Sequence, residues 1–100
     1  MIRWASVGHV ELLDTVAISS ALIGGAWAHH DGELVRVVRC DDFDAALEFV
    51  NAVGAIASRL GHHPDVDIRW NVVTLRLSTH SLGGVTNADL SLARELDAIC

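Results

Sequence analysis

The sequence predicts an α+β fold: a two-layer sandwich in which a four-stranded antiparallel sheet has helices packed on one face. Strand-like runs occur in two pairs with turn residues between them, and helix-like runs precede, separate and follow the pairs in the order α-β-β-α-β-β-α. The chain has 100 residues, of which 51% are hydrophobic and 20% charged. This size and composition suit one globular core, so we expect a single domain over residues 1–100.

The first helix and the first hairpin account for the N-terminal forty residues. Apolar side chains recur at helical spacing over residues 11–22, and Gly24-Gly25 ends this segment. The face predicted for this helix consists of Leu12, Leu13, Val16 and Ser20. A short strand over residues 26–29 precedes Asp31-Gly32, a pair typical of two-residue hairpin turns. The valine-rich run 33–40 then suits the returning strand.

The second helix is the best-defined element of the sequence. Asp41 and Asp42 offer side-chain oxygens that can cap its first turn, and Gly61 stops it. Apolar residues recur between them at steps of three and four, over nearly five turns: Phe43, Ala46, Leu47, Val50, Val53, Ala57 and Leu60. We therefore expect this stripe to pack on the sheet.

The second hairpin spans residues 66–79. Its second half alternates between a core-facing set, Val73, Leu75, Leu77 and Thr79, and an outward-facing set, Thr74, Arg76, Ser78 and His80. In its first half, Ile68 and Trp70 carry the apolar face. The alternation changes phase near Asn71-Val72, which predicts a tight turn or a bulge at that point.

The last helix begins after the Gly83-Gly84 loop. Thr86 and Asp89 have the spacing of a capping box, with Asp in the place usually taken by Glu. The apolar face that follows consists of Leu92, Ala93, Leu96 and Ile99. The chain thus ends on an amphipathic helix.

Charge and hydropathy exclude two classes of function. The net charge is −6, and seven Lys and Arg residues against thirteen Asp and Glu residues do not supply the basic face that binds nucleic acid directly. No run approaches the ~20 apolar residues of a membrane span. We therefore expect a cytoplasmic protein that binds neither nucleic acid nor a membrane.

Two further expectations follow from the size of the chain and its cysteines. Cys40 and Cys100 are too few for a disulfide framework, so we expect both to be reduced. A domain this small buries only about two-thirds of its unfolded surface. Apolar surface therefore remains to be covered, and we expect a homodimer or a homotetramer.

Three histidines lie at the boundaries of the second strand pair. His62 and His63 come just before one strand begins, and His80 closes the other. Because the start of one hairpin strand lies beside the end of its partner, we expect the three imidazoles to converge on one pocket. Histidine suits proton transfer because its unperturbed pKa is about 6.5. Asp89, near the start of the last helix, can enter the same region and orient a histidine.

Other interpretations of these residues stay open. A zinc site is one, although adjacent histidines in extended chain point apart and the usual cysteine spacings and His-Glu-x-x-His helix are absent. Asp89 also has a purely structural role available as the capping partner of Thr86. Trp70 is more often a core residue than a platform for a ligand ring.

Together these residues resemble the pterin-4a-carbinolamine dehydratase family. His62-His63-Pro64 is followed after five residues by Trp70, after nine more by His80 and after eight more by Asp89. This order and spacing match the family pattern, which has an aromatic residue where Trp70 stands. Further similar segments lie at residues 41–43, 49–51, 78–80 and 83–89. The similarity is strong over residues 41–97 and looser over the first forty.

The resemblance implies a four-stranded antiparallel sheet with helices on one face, and a specific reaction. The enzyme removes water from a 4a-hydroxytetrahydropterin, the product left by aromatic amino acid hydroxylases, and yields quinonoid dihydropterin without a metal or an organic cofactor. It implies that His62 and His80 act as acid and base and that His63 mainly binds substrate. It also implies that Trp70, Asp89, Ser78 and Thr79 shape or bind the substrate site.

One departure from the family pattern favours a second hypothesis. Four residues before His62 the family usually has an acidic or another ionisable residue, whereas this chain has Ser58. Serine cannot hold a permanent negative charge beside an imidazolium, so we expect weaker activity. Relatives of the fold serve as transcriptional coactivators or assist assembly of a carboxylase. The alternative is therefore a dehydratase-like binding or assembly module.

Overall fold

The computed structural model describes residues 11–100 and has the predicted order of helices and strands. The elements are α1 (Thr15–Leu22), β1 (Ala28–His30), β2 (Glu33–Arg39), α2 (Phe43–Leu60), β3 (Asp65–Arg69), β4 (Val72–Leu77) and α3 (Asn87–Asp97). A short 3-10 turn, His80–Leu82, joins β4 to α3. The four strands form one antiparallel sheet in the order β1-β2-β4-β3, which confirms the predicted α+β fold.

The core lies between the helices and one face of the sheet. Alternate residues of β4, namely Val73, Leu75 and Leu77, are fully buried, as the period-two pattern predicted. They pack with buried side chains of the other elements, namely Ile18, Trp27, Leu34, Ala46, Val53, Ala57, Leu92 and Leu96. Arg76, which lies between Leu75 and Leu77 along the strand, is exposed on the opposite face. The sheet therefore has one covered face and one open face.

Both hairpins turn through left-handed backbone. In the first, Asp31 and Gly32 have φ of 50° and 76°, as the predicted two-residue turn requires. In the second, Trp70 has φ of 55° and its side chain is 66% exposed. The prediction that Trp70 lies on the apolar face of a strand is wrong, because the chain reverses at Trp70-Asn71. The Asn71 side chain donates to the Cys40 carbonyl at 2.8 Å and so fixes this turn against the end of β2.

The first helix is shorter than predicted. It begins at Thr15 because Asp14 caps it, accepting the Ala17 N–H at 2.8 Å. Leu12 instead forms a β-bridge with Thr86. The predicted apolar face is also wrong, since Val16 is 75% exposed and the buried residue is Ile18. The helical spacing of the sequence thus continues into Leu12, which pairs as extended chain.

The second helix has the predicted ends and a face that is only partly covered. Asp42 accepts the Ala45 N–H at 2.8 Å, and Gly61 ends the helix with φ of 68°. The small members of its apolar stripe are the buried ones: Ala46, Val53 and Ala57. Phe43, Leu47 and Leu60 remain 38–43% exposed. The helix therefore presents apolar side chains to solvent in the isolated chain.

The end of β4 also differs from the prediction. The strand stops at Leu77, so His80 is not its last outward-facing residue but the first residue of the 3-10 turn. Thr79 forms an isolated bridge with Gly84, and its carbonyl accepts the N–H groups of Leu82 and Gly83, both at 2.9 Å. This turn sets the direction in which His80 leaves the sheet.

We expect Gly54→Ala to stabilise the protein. Gly54 lies inside α2, and apart from its chain neighbours and the adjacent helix backbone no atom lies within 4 Å of the position that an added methyl group would take. Alanine lowers the conformational entropy of the unfolded chain, so the free energy of unfolding should rise by about 0.5–1 kcal/mol in a urea titration. Gly32→Ala is the matched control, because its φ of 76° makes the same change destabilising by about 1 kcal/mol. A destabilised Gly54→Ala would mean that this helix surface is covered in solution.

Candidate functional site

Three histidines line one pocket at the end of the β3–β4 hairpin. His62 and His63 lie in the loop after α2, and His80 opens the 3-10 turn after β4. The antiparallel register opposes Asp65 to Arg76, so the start of β3 lies beside the end of β4. The pocket has a volume of about 290 Å³, near the lower end of the range for small-molecule sites. Its remaining lining residues are Gly61, Ser78, Thr79 and Ser81.

His62 is held by a fully buried carboxylate. Its Nε2 lies 2.5 Å from Oδ1 of Asp89, whose exposed fraction is 0%. The other carboxylate oxygen, Oδ2, accepts the Thr86 backbone N–H and the Thr79 hydroxyl, each at 2.9 Å. If the Asp89 carboxylate only accepts hydrogen bonds, Nε2 of His62 is the donor of this contact. Nδ1 is then the nitrogen of His62 that remains for a ligand.

A chain of hydroxyls completes the environment of this carboxylate. The oxygens of Thr79 and Thr86 lie 2.7 Å apart. Thr79 has a single hydroxyl proton and donates it to Asp89, so the Thr86 hydroxyl donates to Thr79. The Thr86 oxygen in turn accepts the Ala88 N–H at 3.2 Å. Both oxygens of the Asp89 carboxylate and both threonine hydroxyls therefore have partners, as buried polar groups require.

Asp89 performs both of the roles that the sequence left open. It closes the capping box at the start of α3 by accepting the Thr86 N–H, and it contacts His62 through its second oxygen. The same side chain thus joins the last helix, the end of the sheet and the histidine loop. The capping hydrogen bond fixes the Asp89 side chain, and the Asp89 side chain in turn orients His62.

The other two histidines are more exposed. Nε2 of His80 lies 3.8 Å from Oδ2 of Asp65, with 70% and 60% of the two side chains exposed. His63 lines the pocket and is also exposed. An exposed imidazole in a pocket mouth can exchange protons with a ligand and then with water. The site therefore combines one fixed imidazole with two accessible ones.

The structure does not bring every predicted site residue together. Trp70 lies at the far end of the β3–β4 hairpin, about 15 Å along the strands from the pocket. Ser58 is exposed in the last turns of α2 and is not among the pocket-lining residues. Ser78 and Thr79 do line the pocket, but the Thr79 hydroxyl is engaged by Asp89 and Thr86.

Sequence reasoning missed two residues of this site. Asp65, which faces His80, is the first residue of β3, and only the strand register identifies its neighbour. The sequence identifies Thr86 only as a helix cap, whereas its hydroxyl also contacts that of Thr79. The signal for Asp65 was its place directly after His62-His63-Pro64.

The zinc interpretation gains no support from the described part of the chain. Among residues 11–100, no three His, Cys, Asp or Glu side chains are grouped so that they could hold a metal ion.

The same residues contain no helix long and apolar enough to cross a membrane. Cys40 and Cys100 are both free thiols.

Comparison with known proteins identifies the family. The family model described as pterin 4 alpha carbinolamine dehydratase matches residues 11–99. A proposed pterin-4-alpha-carbinolamine dehydratase of Nocardia farcinica is 46% identical over 90 residues, which are 89% of this chain and 95% of the relative. A relative of the same name from Acidobacterium capsulatum is 49% identical over 74 residues, covering 74% of this chain and 80% of its own.

Solved structures have the same fold. The transcriptional coactivator/pterin dehydratase of Brucella melitensis superposes with a TM-score of 0.83 at 32% identity, over 89% of this chain and 98% of that one. A pterin dehydratase-like protein described as a RuBisCO assembly factor of the alpha-carboxysome has a TM-score of 0.62 at 20% identity, over 75% of this chain and 89% of its own. The second likeness concerns the fold alone. The match of the family model over residues 11–99 and the identities of the relatives show that the chain belongs to the pterin-4a-carbinolamine dehydratase family.

Proposed function

We propose that this protein is a cytoplasmic 4a-hydroxytetrahydropterin dehydratase, a lyase of tetrahydrobiopterin recycling that works by histidine acid–base catalysis. The observation that carries this proposal is the convergence of His62, His63 and His80 on one pocket, with His62 fixed by the buried Asp89. Membership of the family supplies the substrate class. No other group of histidines in residues 11–100 has this arrangement.

The reaction needs one acid and one base on a flat bicyclic substrate. Hydroxide is a poor leaving group, so a general acid protonates the 4a-hydroxyl as the C4a–O bond breaks and water departs. A base removes the proton from the neighbouring ring nitrogen as the C4a=N bond forms. We assign these two roles to His62 and His80, and substrate binding to His63. Each well-placed acid or base typically contributes about 10²–10⁴-fold.

The proposal is tested by supplying chemically generated 4a-hydroxytetrahydropterin and following quinonoid dihydropterin. We expect formation of product above the uncatalysed rate, proportional to protein concentration. Circular dichroism of the same sample checks that the protein is folded. A folded sample with no rate above background rejects the dehydratase function.

A second candidate function is a dehydratase-like binding or assembly module. It is supported by Ser58, which stands where the family pattern has an ionisable residue, and by the exposed apolar side chains of α2. The Brucella melitensis relative is described as a transcriptional coactivator as well as a dehydratase. A folded protein without dehydratase activity that forms a stoichiometric complex with one partner would favour this function. Turnover that needs no partner would favour the first.

We further propose that the protein is a homodimer or a homotetramer. Apolar side chains are exposed on α2, where Phe43 and Leu47 are 43% and 40% exposed, and on the sheet, where Val37 is 60% exposed. Apolar surface of this kind commonly marks contacts between subunits. Sedimentation velocity distinguishes the two states from a monomer of 10.7 kDa.

A further inference from the structure

Each of the two histidines assigned to proton transfer presents the same ring nitrogen to a carboxylate. Nε2 of His62 lies 2.5 Å from Asp89, and Nε2 of His80 lies 3.8 Å from Asp65. The first carboxylate is fully buried and the second is 60% exposed at its side chain. The pocket-lining residues themselves include no carboxylate, and these two carboxylates each contact one of the lining histidines.

The position of Asp65 follows from the strand register. Asp65 is the first residue of β3, and its partner across the hairpin is Arg76 of β4. Directly opposed residues share a sheet face, and Arg76 lies on the open one. The Arg76 guanidinium contacts Glu33 of β2 at 3.8 Å, and within residues 11–100 no ion pair joins Arg76 to Asp65. The carboxylate is therefore left to face His80.

From these contacts we propose that Asp65 is a positioning residue for His80. Its carboxylate lies on the Nε2 side of the ring. A negative charge there favours the tautomer with its hydrogen on Nε2 and leaves Nδ1 as the nitrogen that exchanges a proton with the substrate. This inference rests on the proposed dehydratase function for its role in turnover, but the contact itself does not. The other charged or titratable groups around the ring are His62 and His63 in the pocket, with Arg76 and Glu33 beyond Asp65.

The effect of Asp65 on the His80 ring is limited because both side chains are largely exposed. A separation of 3.8 Å is longer than an N–H···O bond, so the contact between His80 and Asp65 is a loose electrostatic one. Exposed ion pairs contribute little, which limits the effect to about two- to fivefold. Asp65 therefore biases the orientation and tautomer of His80 and does not replace its chemistry.

The test compares three variants by NMR and by turnover. In Asp65→Asn, the ¹⁵N spectrum of the His80 ring should show the ratio of the Nε2–H to the Nδ1–H form fall about two- to fivefold, with kcat lowered by a similar factor. Asp65→Glu keeps a carboxylate and should restore both. Asp67→Asn is the matched control, because Asp67 lies two residues along the same strand face and contacts Arg69 at 3.4 Å.

The outcomes separate this inference from the proposed function. An unchanged His80 tautomer ratio in Asp65→Asn overturns the inference, whether or not the wild-type protein turns over pterin. So does an equal change in Asp67→Asn, which would mean that any charge on this face acts in the same way. A changed ratio restored by Asp65→Glu, in a protein without dehydratase activity, supports the contact and rejects only the proposed function.

Discussion

Replacing His80 with alanine should lower kcat/KM for 4a-hydroxytetrahydropterin by about 10²–10⁴-fold and leave the protein folded. The loss is large because His80 is one of two groups that move a proton in the proposed reaction. The effect on folding is small because 70% of the His80 side chain is exposed. Surface substitutions of this kind usually change the free energy of unfolding by less than about 0.5 kcal/mol.

The matched control for this variant is His30→Ala. The His30 side chain is 73% exposed and faces an exposed aspartate, Asp31, at 3.1 Å, so its surroundings are close to those of His80. It lies in β1, at the opposite edge of the sheet from β3. We expect His30→Ala to retain full activity and similar stability. Activity that survives His80→Ala, or that falls equally in His30→Ala, contradicts the role assigned to His80.

Replacing Asp89 with alanine should remove both activity and stability. The substitution leaves the buried Thr86 N–H and the Thr79 hydroxyl without their acceptor and removes the group that holds His62. A buried polar group without a partner costs about 1–3 kcal/mol. We therefore expect a loss of about 3–5 kcal/mol in the free energy of unfolding, a large part of what a domain of this size has.

Two comparisons separate the roles of Asp89. Asp89→Asn keeps the shape and one acceptor oxygen, so it should cost less stability than Asp89→Ala while still lowering kcat at least tenfold. Asp42→Ala removes another helix-capping aspartate, one that accepts only an exposed N–H from Ala45, and should cost about 1 kcal/mol with activity unchanged. If Asp89→Asn retained full activity, the negative charge beside His62 would have no part in turnover.

The sequence predicted the elements that depend on local chemistry. Capping residues and glycines at left-handed positions marked the ends of α2, and Asp31-Gly32 marked the first hairpin turn. Period-two alternation identified the buried side of β4 through Val73, Leu75 and Leu77. The convergence of the three histidines followed from the hairpin, because antiparallel strands bring the start of one to the end of the other.

The features that the sequence did not predict depend on partners distant along the chain. Leu12 has helical spacing to its neighbours, yet it pairs with Thr86 as extended chain. A tight turn was predicted near Asn71-Val72, but not the left-handed backbone of Trp70, because tryptophan has no preference for that conformation and the strand pairing on both sides requires it there. The contact of Asp65 with His80 required the register of two strands. Contacts between residues distant along the chain depend on strand register and helix packing, which local sequence patterns do not specify.

Asp89 contacts both the helix cap and His62, and this double contact limits which residues of the site can change during evolution. Substitutions of Asp89, Thr86 or Thr79 would alter the folded state together with the position of His62, so under the proposed function each would lower both stability and activity. Exposed positions at the edge of the pocket, such as His63 and Ser81, carry no such double penalty. Under the proposed function, substitutions that adapt the site to a different pterin should therefore accumulate at the edge of the pocket, while Asp89, Thr86 and Thr79 stay unchanged.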